Sequence, residues 1–239
     1  MNVAGKTALV TGGNDGIGRE IARLLEAKGT SVIVVGRDAG RLAAAAAAGF
    51  ETIAADLSTP TGVDAVVAAI GDRAIDMLVN NAGMGVTYLA DGSIDLAEVD
   101  RCIALNLTAP IHLITRLLPA LRARPEAMIV NVTSGLAIAP AAKSPVYCAT
   151  KAGLRSFTMA LRAQLAGTSI RVLEALPPVV ETRMTAENPH KKLSAAECAR
   201  QIVAAIEGNR AEANVGMTRL LRGAYSVSPA FARRIMLRY

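Results

Sequence analysis

TALVTGGNDGIG, residues 7–18, joins a short apolar run to a glycine-rich turn. Residues 7–10 are typical of a buried strand, and residues 19–28 continue with the apolar stripe of an amphipathic helix. A strand, a glycine-rich turn and a helix in this order predict a dinucleotide-binding unit. The alternative is a glycine-rich turn that does no more than connect the strand to the helix.

Each glycine of the turn has a physical role in that prediction. Gly12 permits the tight turn, Gly16 lets a phosphate approach the backbone, and Gly18 lets the helix pack on the strand. The N-terminus of the helix then faces the pyrophosphate. The residues of the turn that we expect to bind the cofactor are Gly12, Asn14, Asp15, Gly16, Ile17 and Gly18.

Further apolar runs alternate with helical segments along the chain. They occupy residues 31–35, 51–55, 75–79, 128–132 and 170–175. This alternation predicts an α/β fold with a parallel sheet and right-handed crossovers. Ligands bind at the carboxyl ends of the strands in such a sheet, and the polar motifs of this chain follow its apolar runs.

Two charged residues at strand ends bear on the choice of cofactor. Arg37 follows the second strand, where a cation accommodates the 2′-phosphate of NADP, and Asp56 follows the third, where it can bind the adenine amino group or cap the next turn. Asp15 opposes a phosphate in this region, and Arg37 as a solvated surface charge is the alternative. We predict NADP(H) in preference to NAD(H).

A serine, a tyrosine and a lysine form the candidate reaction centre. Tyr147 and Lys151 are four residues apart, so they share one face of a helix, and Ser134 closes the apolar run of residues 128–132. A neighbouring cation favours the phenolate, so Tyr147 can act as an acid or a base towards a carbonyl or an alcohol. The alternative is a buried tyrosine, a lysine with an exposed ammonium group and a turn serine.

The composition limits the other functions. Of 239 residues, 52% are hydrophobic and 3% aromatic, which allows a large aliphatic core, and the net charge of +6 does not indicate a nucleic-acid partner. Three widely spaced cysteines indicate a reducing compartment and neither a disulfide framework nor a metal site. We predict no signal peptide and no transmembrane helix, and therefore a cytoplasmic protein.

In this order and at this length, the motifs resemble the short-chain dehydrogenase/reductase family. They are TGxxxGIG at residues 11–18, Asp56, NNAG at residues 80–83, Ser134 and the YxxxK pattern of Tyr147 and Lys151. The resemblance covers residues 5 to about 205. It implies a doubly wound Rossmann fold, an oxidoreductase that uses a nicotinamide cofactor, and a homodimer or homotetramer.

The resemblance also assigns roles by position. It implies that Tyr147 is the general acid/base, that Lys151 lowers the pKa of Tyr147 and binds the nicotinamide ribose, and that Ser134 orients the substrate oxygen. Asn106 matches the family asparagine that holds a water molecule in the proton relay, although alone it is an ordinary polar residue of a long helix. The other residues implied as cofactor contacts are Leu57, Asn80, Ala82, Gly83, Pro177, Val180 and Thr182.

One departure from the family pattern follows the sixth strand. Pro178 stands where the family usually has glycine, so the loop is stiffer. The motifs PPxVxT at residues 177–182 and TSGLAxxP at 133–140 resemble a bacterial subset related to the oxidoreductase encoded with teichoic-acid D-alanylation genes. Residues 182–192 fall where the family has its mobile substrate lid, and we expect Met84, Leu136, Ile138 and Met184 in the pocket.

The last residues differ in character from the rest. We predict one domain over residues 1–218 and a basic amphipathic tail over 219–239, which packs on the domain or on a neighbouring subunit and does not bind a membrane. The whole pattern predicts hydride transfer between NADP(H) and a small carbonyl or secondary alcohol. The alternative is a cofactor-binding regulator or scaffold with little turnover.

Overall fold

The computed structural model describes residues 1–86, 94–188 and 191–238. The described strands are β1 (Thr7–Thr11), β2 (Ser31–Gly36), β3 (Glu51–Ala54), β4 (Met77–Asn80), β5 (Ala127–Val132), β6 (Ile170–Leu176), β7 (Val180–Glu181), β8 (Leu193–Ser194) and β9 (Glu212–Asn214). The described helices are α1 (Gly16–Glu26), α2 (Ala39–Ala47), α3 (Pro60–Ile70), α4 (Leu96–Ile103), α5 (Ala109–Arg122), α6 (Pro145–Gln164), α7 (Ala195–Glu207), α8 (Thr218–Val227) and α9 (Pro229–Met236).

Seven strands form one parallel sheet in the order β3-β2-β1-β4-β5-β6-β9. The chain moves outward from β1 to β3, returns to β4 beside β1, and then moves outward in the other direction. This order leaves a crevice outside the carboxyl ends of β1 and β4, where a doubly wound sheet binds its ligand. The predicted Rossmann fold is confirmed.

Helices cover both faces of the sheet. On one face, Ile21 of α1, Leu42 of α2 and Ile202 of α7 are buried. On the other face, the buried side chains include Val66 of α3 and Leu113 of α5. Two faces packed in this way explain why the strands are continuous apolar runs.

Polar contacts determine where two elements begin. Helix α1 begins at Gly16, earlier than the predicted Arg19, because the Asp15 carboxylate accepts a hydrogen bond from the Gly16 amide at 2.8 Å. Strand β4 begins at Met77, later than the predicted Ile75. The preceding Asp76 accepts hydrogen bonds from the Thr7 amide at 2.9 Å and from Arg124 Nε at 2.8 Å.

Helices α4 and α5 are continuous through a π-helical segment, Ala104–Thr108. By length and composition, residues 96–122 are apolar enough to cross a membrane. The side chains of Leu113, Leu117 and Leu121 are buried against the sheet, as in a core helix.

The tail, predicted as basic and amphipathic, lies in α8 and α9, with Ser228 between the two helices. Thr218, at the start of α8, is buried. Its Oγ1 lies 3.0 Å from the position that a Cβ on Gly135 would occupy. Leu221, within the predicted tail, has its Cδ2 3.6 Å from the same position, so the beginning of the tail packs beside the residue that follows Ser134. Further along the tail, Val227 and Phe231 are exposed.

Candidate active site

A cleft of about 660 Å³ opens at the carboxyl ends of the central strands. It brings together most of the residues that sequence reasoning selected. The predicted residues that line it are Gly12, Asn14, Asp15, Gly16, Ile17, Arg37, Asp56, Leu57, Ala82, Gly83, Ser134, Tyr147, Lys151, Pro177, Val180 and Thr182.

Three predicted residues lie behind the wall of this cleft. Gly18 is buried where α1 meets the turn. A Cβ there would lie 2.3 Å from the Gly12 carbonyl oxygen, so this position requires glycine. Asn80 is 2% exposed, and its Nδ2 donates to Asn131 Oδ1 at 2.9 Å. Asn106 is completely buried. These residues support the site without facing the cleft.

The glycine turn and the end of β4 are in close contact. Gly12 has a φ of +64°, and a Cβ on it would lie 3.1 Å from Ala82 Cα. Gly16 has a φ of +49°, and a Cβ on it would lie 3.1 Å from Thr182 Cγ2. Side chains at these two positions would fill the cradle at the N-terminus of α1, so the turn fits a pyrophosphate.

Asn81, the second asparagine of the NNAG motif, lines the cleft, whereas Asn80 does not. Its Nδ2 donates to the Thr11 carbonyl oxygen at 3.0 Å, and its backbone N–H donates to Thr11 Oγ1 at 3.0 Å. The period of two along a strand places neighbouring side chains on opposite sides, so only one of two adjacent asparagines can face the ligand.

Charged side chains surround the end of β2. The Arg37 guanidinium is half exposed and lies 3.8 Å from Asp56 Oδ2. Burial acts to raise the pKa of Asp56, but hydrogen bonds from Ser58 and the charges of Arg37 and Arg101 outweigh it, so this pKa is lowered. Asp56 is therefore an ionised acceptor at neutral pH.

The carboxylate expected to oppose a phosphate has a partner. Asp15 Oδ2 lies 3.5 Å from the Arg183 guanidinium, which also lines the cleft. The negative charge of Asp15 is thus opposed by a cation from the loop after β7. Gly36 completes this corner, because a Cβ there would lie 2.5 Å from Asn14 Nδ2.

Tyr147 and Lys151 lie on one face of α6, as predicted. Lys151 Nζ is 5.8 Å from the centre of the Tyr147 ring and donates to the Val132 carbonyl oxygen at 2.8 Å. Ser134 lies two residues after the end of β5, and its Oγ accepts a hydrogen bond from the Leu136 amide at 3.1 Å. Helix α6 and strand β5 thus bring the phenol, the ammonium and the hydroxyl to the same cleft.

Burial shifts the pKa values of both Tyr147 and Lys151. Burial raises the pKa of Tyr147 to about 12, and hydrogen bonding with the Ser134 side chain is the main opposing influence. Burial also lowers the pKa of Lys151 to about 8. In the protein alone, the effect of burial on the phenol dominates, and the expectation that Lys151 favours the phenolate stays a prediction.

Asn106 holds a backbone segment of the cleft wall. Its Oδ1 accepts from the Met84 amide at 2.9 Å, and its Nδ2 donates to the Met84 carbonyl oxygen at 2.8 Å and to Thr150 Oγ1 at 3.1 Å. The side chain, which belongs to the π-helical segment, thus joins the chain after β4 to α6. Helical segments of this kind often occur at functional sites.

The substrate side of the cleft is partly as predicted. Met84 and Met184 line it, whereas Leu136 and Ile138 do not belong to the described lining. Pro178 lines the cleft, as do Val86 and Ser144, which sequence reasoning missed. Residues 189–190 of the predicted lid lie outside the described residues.

Comparisons with known proteins agree with this architecture. A family model described as short chain dehydrogenase matches residues 6–193. The uncharacterized oxidoreductase DltE of Bacillus subtilis (strain 168) is 40% identical over 197 residues, which cover 80% of this chain and 78% of that protein. This likeness confirms the predicted resemblance to the bacterial subset.

Two solved structures share the fold. A short chain dehydrogenase from Burkholderia cenocepacia J2315, in complex with NADP, has a TM-score of 0.90 at 24% identity and covers 99% of each chain. A 3-ketoacyl-(acyl-carrier-protein) reductase from Brucella melitensis, complexed with NADH, has a TM-score of 0.80 at 28% identity and covers 88% of this chain and 96% of its own.

Proposed function

We propose that this chain, which belongs to the short-chain dehydrogenase family, is an NADP(H)-dependent oxidoreductase that interconverts a carbonyl compound and a secondary alcohol. The observation that carries the proposal is the meeting of Ser134, Tyr147 and Lys151 in the cleft that the glycine turn also lines. A dinucleotide site and an acid/base pair in one cleft are what hydride transfer with proton transfer needs.

The residues present fit a nicotinamide dinucleotide. Gly12 and Gly16 leave room for a pyrophosphate at the N-terminus of α1, and Asp56 offers an ionised acceptor for the adenine amino group. Lys151 would hold the nicotinamide ribose, and Val180 and Thr182 would hold the carboxamide or the pyrophosphate. When bound, the nicotinamide supplies or accepts the hydride.

The protein's own groups manage the proton and the substrate oxygen. During reduction, the Tyr147 hydroxyl donates its proton to the oxygen of the former carbonyl group, and during oxidation its phenolate accepts the alcohol proton. The Ser134 hydroxyl donates a hydrogen bond to the same oxygen and keeps it in line with the phenol. Lys151 supplies positive charge near the phenol, which favours its phenolate form.

NADP(H) is the preferred cofactor in this proposal. Arg37 lies half exposed at the end of β2, where a 2′-phosphate would approach, and Arg41 also lines this part of the cleft. The pairing of Asp15 with Arg183 removes much of the repulsion that Asp15 would exert. The two solved relatives do not decide between the cofactors, because one is bound to NADP and the other to NADH. The proposed preference for NADP(H) therefore rests on the charges around Arg37.

Two measurements test the function. Equilibrium binding of NADPH and NADH, followed by fluorescence, should show tighter binding of NADPH. Turnover with a panel of ketones and aldehydes should then be detectable, and it should disappear in Tyr147→Phe. A protein that binds NADPH but reduces no member of the panel would instead be a cofactor-binding regulator or scaffold.

We also propose that the enzyme is a cytoplasmic homodimer or homotetramer. Ile103 on α4 and Met159 on α6 are 40% and 49% exposed, which leaves apolar area for a second copy of the chain. Sedimentation equilibrium should show a dimer or a tetramer, and Ile103→Glu with Met159→Glu should shift it towards the monomer. The tail is not part of a membrane contact in this proposal, so the protein should not sediment with vesicles.

A further inference from the structure

A buried carboxylate lies between the two elements that carry the reactive side chains. Glu174, on β6, is completely buried, and Arg155, on α6, is 11% exposed. The Arg155 guanidinium lies 2.7 Å from Glu174 Oε2. Arg155 is on the face of α6 that carries Tyr147 and Lys151, because the three residues follow one another at intervals of four.

The other oxygen of the same carboxylate binds the strand that leads to Ser134. The Thr133 hydroxyl donates to Glu174 Oε1 at 2.7 Å. The backbone on either side of Ser134 is held by the same strand and its extension, because Thr133 N–H donates to the Ala175 carbonyl oxygen and Gly135 N–H to that of Pro177, both at 2.8 Å. Glu174 therefore connects the Ser134 segment to the Tyr147 helix.

Two further ion pairs connect Arg155 to the tail. Arg155 Nη2 lies 3.3 Å from Glu212 Oε1 on β9, and Arg222 of α8 lies 3.6 Å from Glu212 Oε2. The groups that face Glu174 are thus Thr133 and Arg155 directly, with Glu212 beyond them. A buried ion pair contributes little net stability compared with apolar residues of similar size. Stability alone therefore does not explain why Glu174 and Arg155 occupy these buried positions.

We propose that Glu174 is a positioning residue that holds Ser134 against Tyr147 for proton transfer. This inference rests on the proposed function. Each carboxylate oxygen has its own partner, one on the serine segment and one on the tyrosine helix. Removing the negative charge should release Arg155 and let the two elements move apart, so Ser134 would no longer bind the Tyr147 hydroxyl well.

The test is Glu174→Gln, measured by kinetics across pH. We expect kcat to fall about 10- to 100-fold while the substrate KM and the NADPH Kd stay the same, because only the proton-transfer geometry changes. The pH profile of alcohol oxidation should also move upward by about one unit, because hydrogen bonding with Ser134 favours the Tyr147 phenolate. The other groups near this phenol, Lys151, Cys102 and Cys148, are unchanged.

Matched variants separate positioning from stability. Asp76→Asn removes another buried, arginine-paired carboxylate, which lies at the amino ends of β1 and β4, away from the cleft, so it should lower the melting temperature without moving the pH profile. Thr133→Val should reproduce the upward shift, and Thr133→Ser, which keeps the donor, should not. In a Ser134→Ala background, Glu174→Gln should add no further shift. If Glu174→Gln does not fold, the Thr133 pair carries the test alone.

A second readout does not depend on turnover. The ¹³Cζ resonance of Tyr147, assigned with Tyr147→Phe, should move in the same direction in Glu174→Gln and in Ser134→Ala. If the resonance moves in both variants but the wild-type protein shows no turnover, the positioning role is supported and the proposed function is contradicted. Normal wild-type turnover with an unmoved resonance and an unmoved pH profile in Glu174→Gln would overturn the positioning role.

Discussion

The Lys151 ammonium donates a hydrogen bond to the Val132 carbonyl oxygen at 2.8 Å, which joins helix α6 to the end of strand β5. Val132 is the last residue of the strand that leads to Ser134, and Lys151 lies one turn after Tyr147. One buried lysine therefore positions both of the residues that we propose as partners of the substrate oxygen. The lysine has a structural role here as well as an electrostatic one.

Replacing Tyr147 with phenylalanine should lower turnover by a factor of about 10² to 10⁴, the usual contribution of a positioned general acid or base. Binding of NADPH should change little, since the ring remains. Steady-state kinetics and a fluorescence titration measure the two effects. Turnover equal to that of the wild type would contradict the mechanism.

Replacing Arg37 with alanine should weaken NADPH binding about tenfold and leave NADH binding nearly unchanged, because a charge-assisted contact to the 2′-phosphate is lost. Arg101→Ala is the matched control. Arg101 lies 3.9 Å from the same Asp56 carboxylate but is not among the described residues of the cleft. Equal losses of NADPH and NADH affinity in Arg37→Ala would argue against a phosphate contact.

The depressed pKa of Lys151 should make the free energy of unfolding depend on pH. Because this pKa falls from 10.5 to about 8 on folding, the unfolded chain binds more protons than the native protein between these values. The free energy of unfolding contributed by Lys151 should therefore rise with pH in this window, by about 3 kcal/mol in total. Below pH 8 the full cost of burying the charge is present.

Urea unfolding from pH 7 to 10.5, followed by circular dichroism, measures this contribution. Lys151→Met is the comparison, because it keeps the volume and removes the proton. The wild-type curve should rise relative to that of the variant as the pH increases. Parallel curves would show that Lys151 has the same pKa in the folded and unfolded chains.

Replacing Asn106 with alanine should lower the free energy of unfolding by about 2 to 4 kcal/mol, because the Met84 amide and carbonyl lose buried partners. Turnover should fall as well, since Met84 belongs to the cleft wall. Asn80→Ala should have a smaller effect, because Asn80 makes one described side-chain hydrogen bond and its Oδ1 has no partner. Similar losses in both variants would contradict this role for Asn106.

Short-range patterns were sufficient for the architecture. The apolar runs predicted the strands of the parallel sheet, and their polar ends predicted where the cleft forms, because the carboxyl ends of parallel strands meet at one edge. The spacing of Tyr147 and Lys151 predicted a shared helix face. Even the glycine turn follows from local sterics, since Gly12 and Gly16 adopt positive φ values.

Contacts between distant parts of the chain decided the remaining features. The sequence alone does not distinguish Asn81 from Asn80, because the direction of a side chain depends on where the strand ends. The role of Asn106 in the π-helical segment depends on its contacts with Met84 and Thr150, which are distant in the chain. The pKa of Tyr147 depends on how completely folding removes water from the phenol.

By itself, the sequence determined the strands, the glycine turn and the helix that carries Tyr147 and Lys151, because these depend on residues that are near one another in the chain. Only the tertiary structure decided that Glu174 joins Thr133 to Arg155 and that Thr218 packs beside Gly135. The three pairs are 41, 19 and 83 residues apart in the chain, respectively. Their contacts arise from the burial of whole elements against each other, which no local pattern encodes.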